Sequence, residues 1–197
     1  MKILGIDPGS INCGYGLIGA EETRFPGSTV AQSGESRCLK GLVYISSGRL
    51  TMAATKPLHE RLRELFTSLT DIISESCPDE IVIEKIFFAK GIKAALSLGH
   101  TRGVVLLAAS LTGTPIFEYS PLEVKQAVVG YGRASKEQVQ AMVQALLPMP
   151  AKVAADAADA RAVAVCVGHS IRWQRRLAAS SGTGTPFRGR RERGRTG

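Results

Sequence analysis

The stretch Lys2-Ile3-Leu4-Gly5-Ile6-Asp7-Pro8-Gly9-Ser10 decides how the fold begins. The residues before Asp7 form a short apolar run, which is typical of a buried β-strand. Pro8-Gly9-Ser10 then predicts a turn, and Tyr15-Gly16-Leu17-Ile18 predicts a return strand that pairs with the first. We therefore expect the chain to open with two paired strands, the first of which ends in a carboxylate.

Polar residues with three glycines follow, and they predict a loop insertion over residues 20–41. Beyond it, apolar periodicity, prolines and capping motifs define the remaining elements. In chain order these are a strand over 41–45, a helix from Pro57 to near Cys77, a strand over 80–84, a long and largely buried helix over 92–111, a strand over 115–119, helices starting after the capping residues Ser120 and Ser135, and a last helix over 154–169.

Three strands followed by alternating helices and strands predict an α/β fold with a mixed central sheet flanked by helices. An antiparallel meander should feed the parallel part of that sheet. We assign residues 1–170 to this one domain. Residues 171–197 are rich in Ser, Gly, Thr, Pro and Arg, a composition that cannot build a core.

The bulk composition is that of an ordinary globular protein, with 197 residues, 44% hydrophobic and 21% charged. No apolar run reaches the roughly 18 to 20 residues of a membrane span, and the N-terminus lacks the pattern of a signal peptide. These features predict a cytoplasmic protein without a membrane partner. The four cysteines and three histidines are scattered, which argues against a disulfide framework or a zinc site.

The net charge of +8 lies mostly in the tail, where eight arginines follow Ile171 and Glu192 is the only acid. The tail thus carries +7 and the remaining 170 residues about +1. Such a basic segment suits a polyanion partner through phosphate contacts, but a solvated, disordered end explains it equally well. Charge alone therefore does not identify the partner.

Four carboxylates interrupt segments that otherwise favour burial. Asp7 and Glu84 end apolar strand runs, whereas Asp156 and Asp159 lie three residues apart among alanines, which places both on one helix face. Buried, unpaired carboxylates are costly, so divalent cations are a physical reason for four of them. Mg²⁺ prefers oxygen ligands, and two ions roughly 3.5 to 4 Å apart can promote phosphodiester hydrolysis. Singly, each acid also fits a turn, a helix dipole or a salt bridge.

Three motifs contain these acids: residues 3–10 with Gly14-Tyr15-Gly16, residues 83–90 (Ile-Glu-Lys-Ile-Phe-Phe-Ala-Lys) and residues 155–160 (Ala-Asp-Ala-Ala-Asp-Ala). With the supporting stretches 98–103, 119–126 and 128–132, they resemble the RuvC family of Holliday-junction resolvases. The resemblance runs in order from residue 1 to about 168, and the combination of motifs is highly specific.

The resemblance implies an RNase H-like fold and an endonuclease that resolves four-way (Holliday) junctions by paired symmetric nicks in opposing strands. It also implies Mg²⁺ or Mn²⁺ as cofactor, with two ions per site, a homodimer, and a branch-migration helicase complex of the RuvA and RuvB type as partner in DNA recombination and repair. The family's catalytic, metal-binding positions fall on Asp7, Glu84, Asp156 and Asp159.

The resemblance further implies three DNA-binding residues. Phe87 matches an aromatic that stacks on a base at the junction. Lys125 and Lys136 match basic positions near the scissile phosphate, where an ammonium offsets negative charge, although both could be ordinary surface lysines. The chain departs from the family pattern in the length of the 20–41 segment, in Gly91 where Asn is common, and in its tail.

Three other functions fit parts of the sequence. An actin-like ATPase also has a strand followed by Asp-Pro-Gly-Ser, but it needs two such domains, and 197 residues leave no room for them. A non-catalytic junction-binding protein would be expected to lack one of the four acids. A nuclease for RNA–DNA hybrids would not need the junction motifs beyond the acids.

Overall fold

The computed structural model describes residues 1–24, 37–85 and 91–147 together with Val167 and His169. Among these residues, the order of strands and helices is the predicted one. The elements are β1 (Lys2–Asp7), β2 (Asn12–Arg24), β3 (Arg37–Thr51), α1 (Leu58–Ser76), β4 (Glu80–Glu84), α2 (Ile92–Ser110), β5 (Ile116–Tyr119), α3 (Pro121–Val129) and α4 (Lys136–Leu146). Val167 and His169, from the predicted last helix, are also helical.

The strands form one five-stranded sheet of order β3-β2-β1-β4-β5. β2 pairs antiparallel with both β1 and β3, whereas β4 pairs parallel with β1 and with β5. The predicted mixed sheet, with a meander that feeds a parallel half, is therefore confirmed. β1 lies at the centre, where the antiparallel and parallel halves meet.

Strand alternation divides the core between the two faces of the sheet. On one face, which we call the α1/α2 layer, side chains of β1 and β4 pack against the two long helices; its fully buried members include Leu4, Ile6, Ile81, Ile83, Leu69 and Val105. On the other face, the α3/α4 layer, the buried members include Ile3, Val82, Val124, Val128, Val143 and Val167. Each such side chain contributes roughly 1.5 to 3 kcal/mol through burial.

The predicted loop over residues 20–41 is wrong at both ends. β2 extends to Arg24 and β3 begins at Arg37. The two strands are paired along their whole length, from Asn12 opposite Thr51 to Arg24 opposite Arg37. Residues 25–36 lie outside the described part of the chain. The polar composition of this segment predicted a loop, but pairing with an antiparallel neighbour satisfies the backbone hydrogen bonds of a strand even where its side chains are polar.

The helix at 92–110 has the predicted bounds, but it is not largely buried. Its buried residues are Thr101, Val105, Ala108 and Ala109, and the opposite face is exposed. Apolar residues are spread around the helix and do not form one stripe, so its sequence does not reveal which face the sheet covers. Among the residues that the structure describes, no helix combines the length and apolar character of a membrane span.

Both predicted capping boxes are present. The hydroxyls of Ser120 and Ser135 accept hydrogen bonds from the backbone N–H groups of Glu123 and Gln138, at 3.3 Å each. The side chains of those two residues accept in return from the capping residues' own N–H groups. These local motifs fix where α3 and α4 begin on the second face of the sheet.

Candidate metal centre

Asp7 and Glu84 lie at the same edge of the sheet. β1 and β4 are parallel with Ile6 opposite Ile83, so one further step of the register puts Asp7 beside Glu84. Neighbouring strands lie about 4.8 Å apart, and by alternation both carboxylates leave the sheet on the face of Ile3, towards the α3/α4 layer. The fold therefore brings these two acids to neighbouring positions.

The donor chemistry of this position fits a hard divalent cation. Glu84 is only 6% exposed and Asp7 is half-buried, so their charges sit in surroundings that disfavour ionised groups without compensation. Burial, together with the negative charge of Asp7, raises the pKa of the nearby Cys13 thiol to about 12. Cys13 therefore remains a neutral thiol at physiological pH, and the strong donors here are oxygens, as Mg²⁺ and Mn²⁺ prefer.

Among the described residues, no three His, Cys, Asp or Glu side chains group closely enough to hold an ion by themselves. Two of the four predicted acids, Asp156 and Asp159, lie outside the described part of the chain, as does Phe87. Of the four predicted ligands, the structure therefore describes the two on strands, Asp7 and Glu84.

The turn after Asp7 is held by close packing. A Cβ on Gly9 would lie 2.0 Å from the carbonyl oxygen of Asn12, so only glycine fits there without a shift of the backbone. Arg61 of α1 donates a hydrogen bond from its guanidinium to the carbonyl of Ser10. These contacts fix the direction in which the chain leaves the carboxylate of Asp7.

A second arginine contacts the main chain at the end of β4. Arg102 of α2 donates from Nη1 to the carbonyl oxygen of Glu84 at 3.1 Å, and from Nη2 to the carboxylate of Glu118 on β5. In the sequence, Arg102 was only part of a supporting motif. No local signal could assign it these partners, because they lie on two different strands.

A buried hydrogen-bonded chain lies on the α3/α4 face of the same two strands. His169, which is 1% exposed, is bonded through Nε2 to Glu80 Oε2 at 2.6 Å and through Nδ1 to the Tyr119 hydroxyl at 2.9 Å. The ring of Phe117 lies 4.7 Å away, centroid to centroid. No local pattern predicts this role, because the histidine and the glutamate are 89 residues apart.

The two predicted DNA-binding lysines lie on the elements that cover this face. Lys125 is on α3 and Lys136 is the first residue of α4. The pKa of Glu137 is lowered, first by the Ser135 hydroxyl that donates to it at 2.7 Å and also by the charges of both lysines. Lys125 and Lys136 therefore lie close enough to act electrostatically on the same carboxylate.

Comparison with known proteins identifies the family. The family model described as crossover junction endodeoxyribonuclease RuvC matches residues 3–167. The protein of that name from Citrifermentans bemidjiense is 42% identical over 170 residues, which cover 86% of this chain and 93% of the relative. That from Ruminiclostridium cellulolyticum is 44% identical over 173 residues, covering 87% of this chain and 94% of the relative.

Solved structures share the fold. Thermus thermophilus RuvC superposes with a TM-score of 0.72 at 25% identity, covering 90% of this chain and 98% of the other. A structure described as T. thermophilus RuvC in complex with Holliday junction substrate gives a TM-score of 0.71 at 23% identity, over 89% of this chain and 96% of the other. The mixed sheet and its helices are thus common to these proteins and to this chain.

Proposed function

Because this chain belongs to the RuvC family of crossover junction endodeoxyribonucleases, we propose that it resolves Holliday junctions by metal-dependent hydrolysis at a site built on Asp7 and Glu84. It is a nuclease of DNA recombination and repair with an RNase H-like fold, and its substrate is four-way junction DNA. The observation that supports this site is the arrival of both carboxylates at the ends of neighbouring parallel strands, on one face of the sheet.

Asp156 and Asp159 complete the proposed ligand set. With Asp7 and Glu84 they would bind two Mg²⁺ ions, which Mn²⁺ can replace, through carboxylate oxygens. Divalent ions bound in this way supply Lewis-acid activation of water and offset the charge of a phosphodiester. The strands hold Asp7 and Glu84 in fixed directions, so these ligands need little reorganisation when an ion binds.

Three residues are proposed to contact the DNA. Lys125 and Lys136 would offset phosphate charge near the cleaved bond, and their shared effect on Glu137 supports a common position over this face. Phe87, three residues after Glu84, would stack on a base at the branch point. We propose residues 1–170 as the nuclease domain and residues 171–197 as a basic tail outside it.

A strand-cleavage assay tests the metal site. Asp7→Asn keeps the size of the side chain but removes its charge, so we expect it to bind a synthetic four-way junction like the wild type while paired nicking in Mg²⁺ is lost. Asp71→Asn makes the same chemical change at an exposed position of α1 and should cut normally. Equal cleavage by wild type and Asp7→Asn would show that the carboxylate is misassigned.

We also propose that the enzyme works as a homodimer joined through α2. The face of this helix opposite its buried side is apolar and exposed; it comprises Ile92 (80% exposed), Leu96 (58%), Leu107 (52%) and, just past the helix, Leu111 (67%). Between them, an added Cβ on Gly99 or Gly103 would meet no atom of the described residues within 4 Å, which lets a second helix approach closely. A twofold dimer would present two equivalent sites to the two opposing strands that are nicked.

Sedimentation can test the dimer with a matched pair of variants. Leu96→Glu should yield a monomer at concentrations where the wild type is dimeric. Leu122→Glu on α3 introduces the same charge at a residue that is equally exposed, at 58%, and should leave the dimer intact. A dimeric Leu96→Glu protein would exclude this face of α2 as the interface.

The remaining partners follow from the family. A branch-migration helicase complex of the RuvA and RuvB type is proposed to deliver the junction to the nuclease. The relatives named above are bacterial proteins, and bacterial DNA lies in the cytoplasm, so we place the enzyme there.

A further inference from the structure

We propose that Arg102 is a positioning residue for Glu84, one that sets the metal affinity of the site from the opposite face of the sheet. This inference rests on the proposed function of Glu84 as a metal ligand. Arg102 would act by holding the main chain at the end of β4, so that the Glu84 side chain leaves the strand in the direction the ion requires.

The contacts of Arg102 join the ends of two strands. Its planar guanidinium donates to the Glu84 carbonyl oxygen at 3.1 Å and to the carboxylate of Glu118 on β5. The arginine side chain is 21% exposed and that of Glu118 34%, so the pair is partly shielded from solvent. A fork with two fixed donors can hold two acceptors in a defined relative position, which a single flexible ammonium cannot do.

The β1 strand cannot supply a donor to the Glu84 carbonyl at the end of β4. Lys85 donates its N–H to Tyr119 on β5 at 2.7 Å, so the preceding residue, Glu84, directs its N–H and C=O towards β1. Continuing the β1–β4 register beyond Asp7 reaches Pro8, which has no N–H to donate. Arg102 therefore supplies a hydrogen bond to the Glu84 carbonyl where the β1 ladder cannot.

Arg102 lies on the face of the sheet opposite to the side chains of Asp7 and Glu84. Glu118 has the same strand parity as Ile116, which packs in the α1/α2 layer, and α2 buries Val105 in that layer. The Glu84 side chain leaves β4 on the other face, with Val82. The sheet lies between the guanidinium and the proposed ions, so its influence passes through the main chain of Glu84.

Mn²⁺ binding in the absence of DNA, followed by electron paramagnetic resonance, tests the inference directly. Arg102→Met should weaken Mn²⁺ binding by about 10-fold or more, the range typical of residues that support metal ligands. Arg63→Met makes the same change at an exposed position of α1 and should leave binding unchanged. Arg102→Lys keeps the charge but not the fork, and is expected to recover only part of the loss.

Junction cleavage at increasing Mn²⁺ separates positioning from a general effect on folding. We expect the cleavage rate of folded Arg102→Met to approach that of the wild type at saturating metal. Glu118→Gln weakens the contact that holds the guanidinium and should therefore also weaken Mn²⁺ binding. This variant replaces Arg102→Met in the test if Arg102→Met does not fold. Unchanged Mn²⁺ affinity, within about twofold, in folded Arg102→Met or Glu118→Gln would overturn the inference. A wild type that binds Mn²⁺ but cuts no junction would overturn the proposed function instead.

Discussion

Replacing His169 by alanine should lower the free energy of unfolding by about 1 to 3 kcal/mol, the cost of leaving a buried hydrogen-bonding group without its partner. The side chain of Glu80 is only 11% exposed, and its carboxylate would lose the 2.6 Å hydrogen bond to the imidazole without gaining water in exchange. The Tyr119 hydroxyl would lose its partner Nδ1 as well. For a domain of this size, the loss corresponds to a fall in Tm of roughly 2 to 12 °C.

Two further variants measure how much each hydrogen bond of His169 contributes to this loss of stability. Tyr119→Phe removes a single neutral hydrogen bond and should cost about 0.5 to 1.5 kcal/mol. Glu80→Gln removes the carboxylate charge but keeps an acceptor for the ring, so in its background His169→Ala should be less costly. Urea unfolding of the four proteins and the double variant measures these differences.

A loss below about 1 kcal/mol for His169→Ala would refute the reasoning, since it would mean that water reaches the carboxylate as easily as the ring does. An equal loss in the Glu80→Gln background would show that the ring stabilises the fold by packing, for example against Phe117, and not through the carboxylate.

Three other perturbations have defined outcomes. Gly9→Ala places a Cβ against the Asn12 carbonyl, so urea unfolding should show a loss of about 1 to 3 kcal/mol and junction cleavage should slow. The raised pKa of Cys13, about 12 against 9.0, means that the folded protein keeps a proton that the unfolded chain loses. Stability should therefore fall between pH 9 and 12, by at most about 1.4 kcal/mol per pH unit, and less steeply in Cys13→Ala. Ser120→Ala should cost about 0.5 to 2 kcal/mol in thermal unfolding, through loss of the α3 cap.

Much of the fold could be predicted because its signals are local. The order of strands and helices follows from apolar periodicity, and the starts of α3 and α4 follow from capping residues a few positions apart. The convergence of Asp7 and Glu84 was also accessible, since both end apolar strands whose carboxyl ends meet at one edge of a parallel pair. What the resemblance implies for Asp156, Asp159 and Phe87 stays a prediction.

The rest depends on contacts between distant residues. Residues 20–24 and 37–41 are mostly polar, and it is their pairing that makes them strands. Apolar residues are spread around α2, so the position of the sheet, and not the helix sequence, decides which face is exposed. The partners of Arg102 and His169 lie on strands remote in sequence, and neither side chain stands in a local pattern that predicts them.

The central position of β1 has a consequence for how the enzyme is made in the cell. β1 can pair with β2 as soon as the first two dozen residues have left the ribosome, but its other edge stays open until β4 has been synthesised. Arg102 and Glu118, which brace the end of β4, emerge later still, and the last two proposed ligands follow them. A nascent chain that ends before β4 therefore carries only the first of the proposed ligands, and the proposed metal centre is complete only after Asp159 has been synthesised.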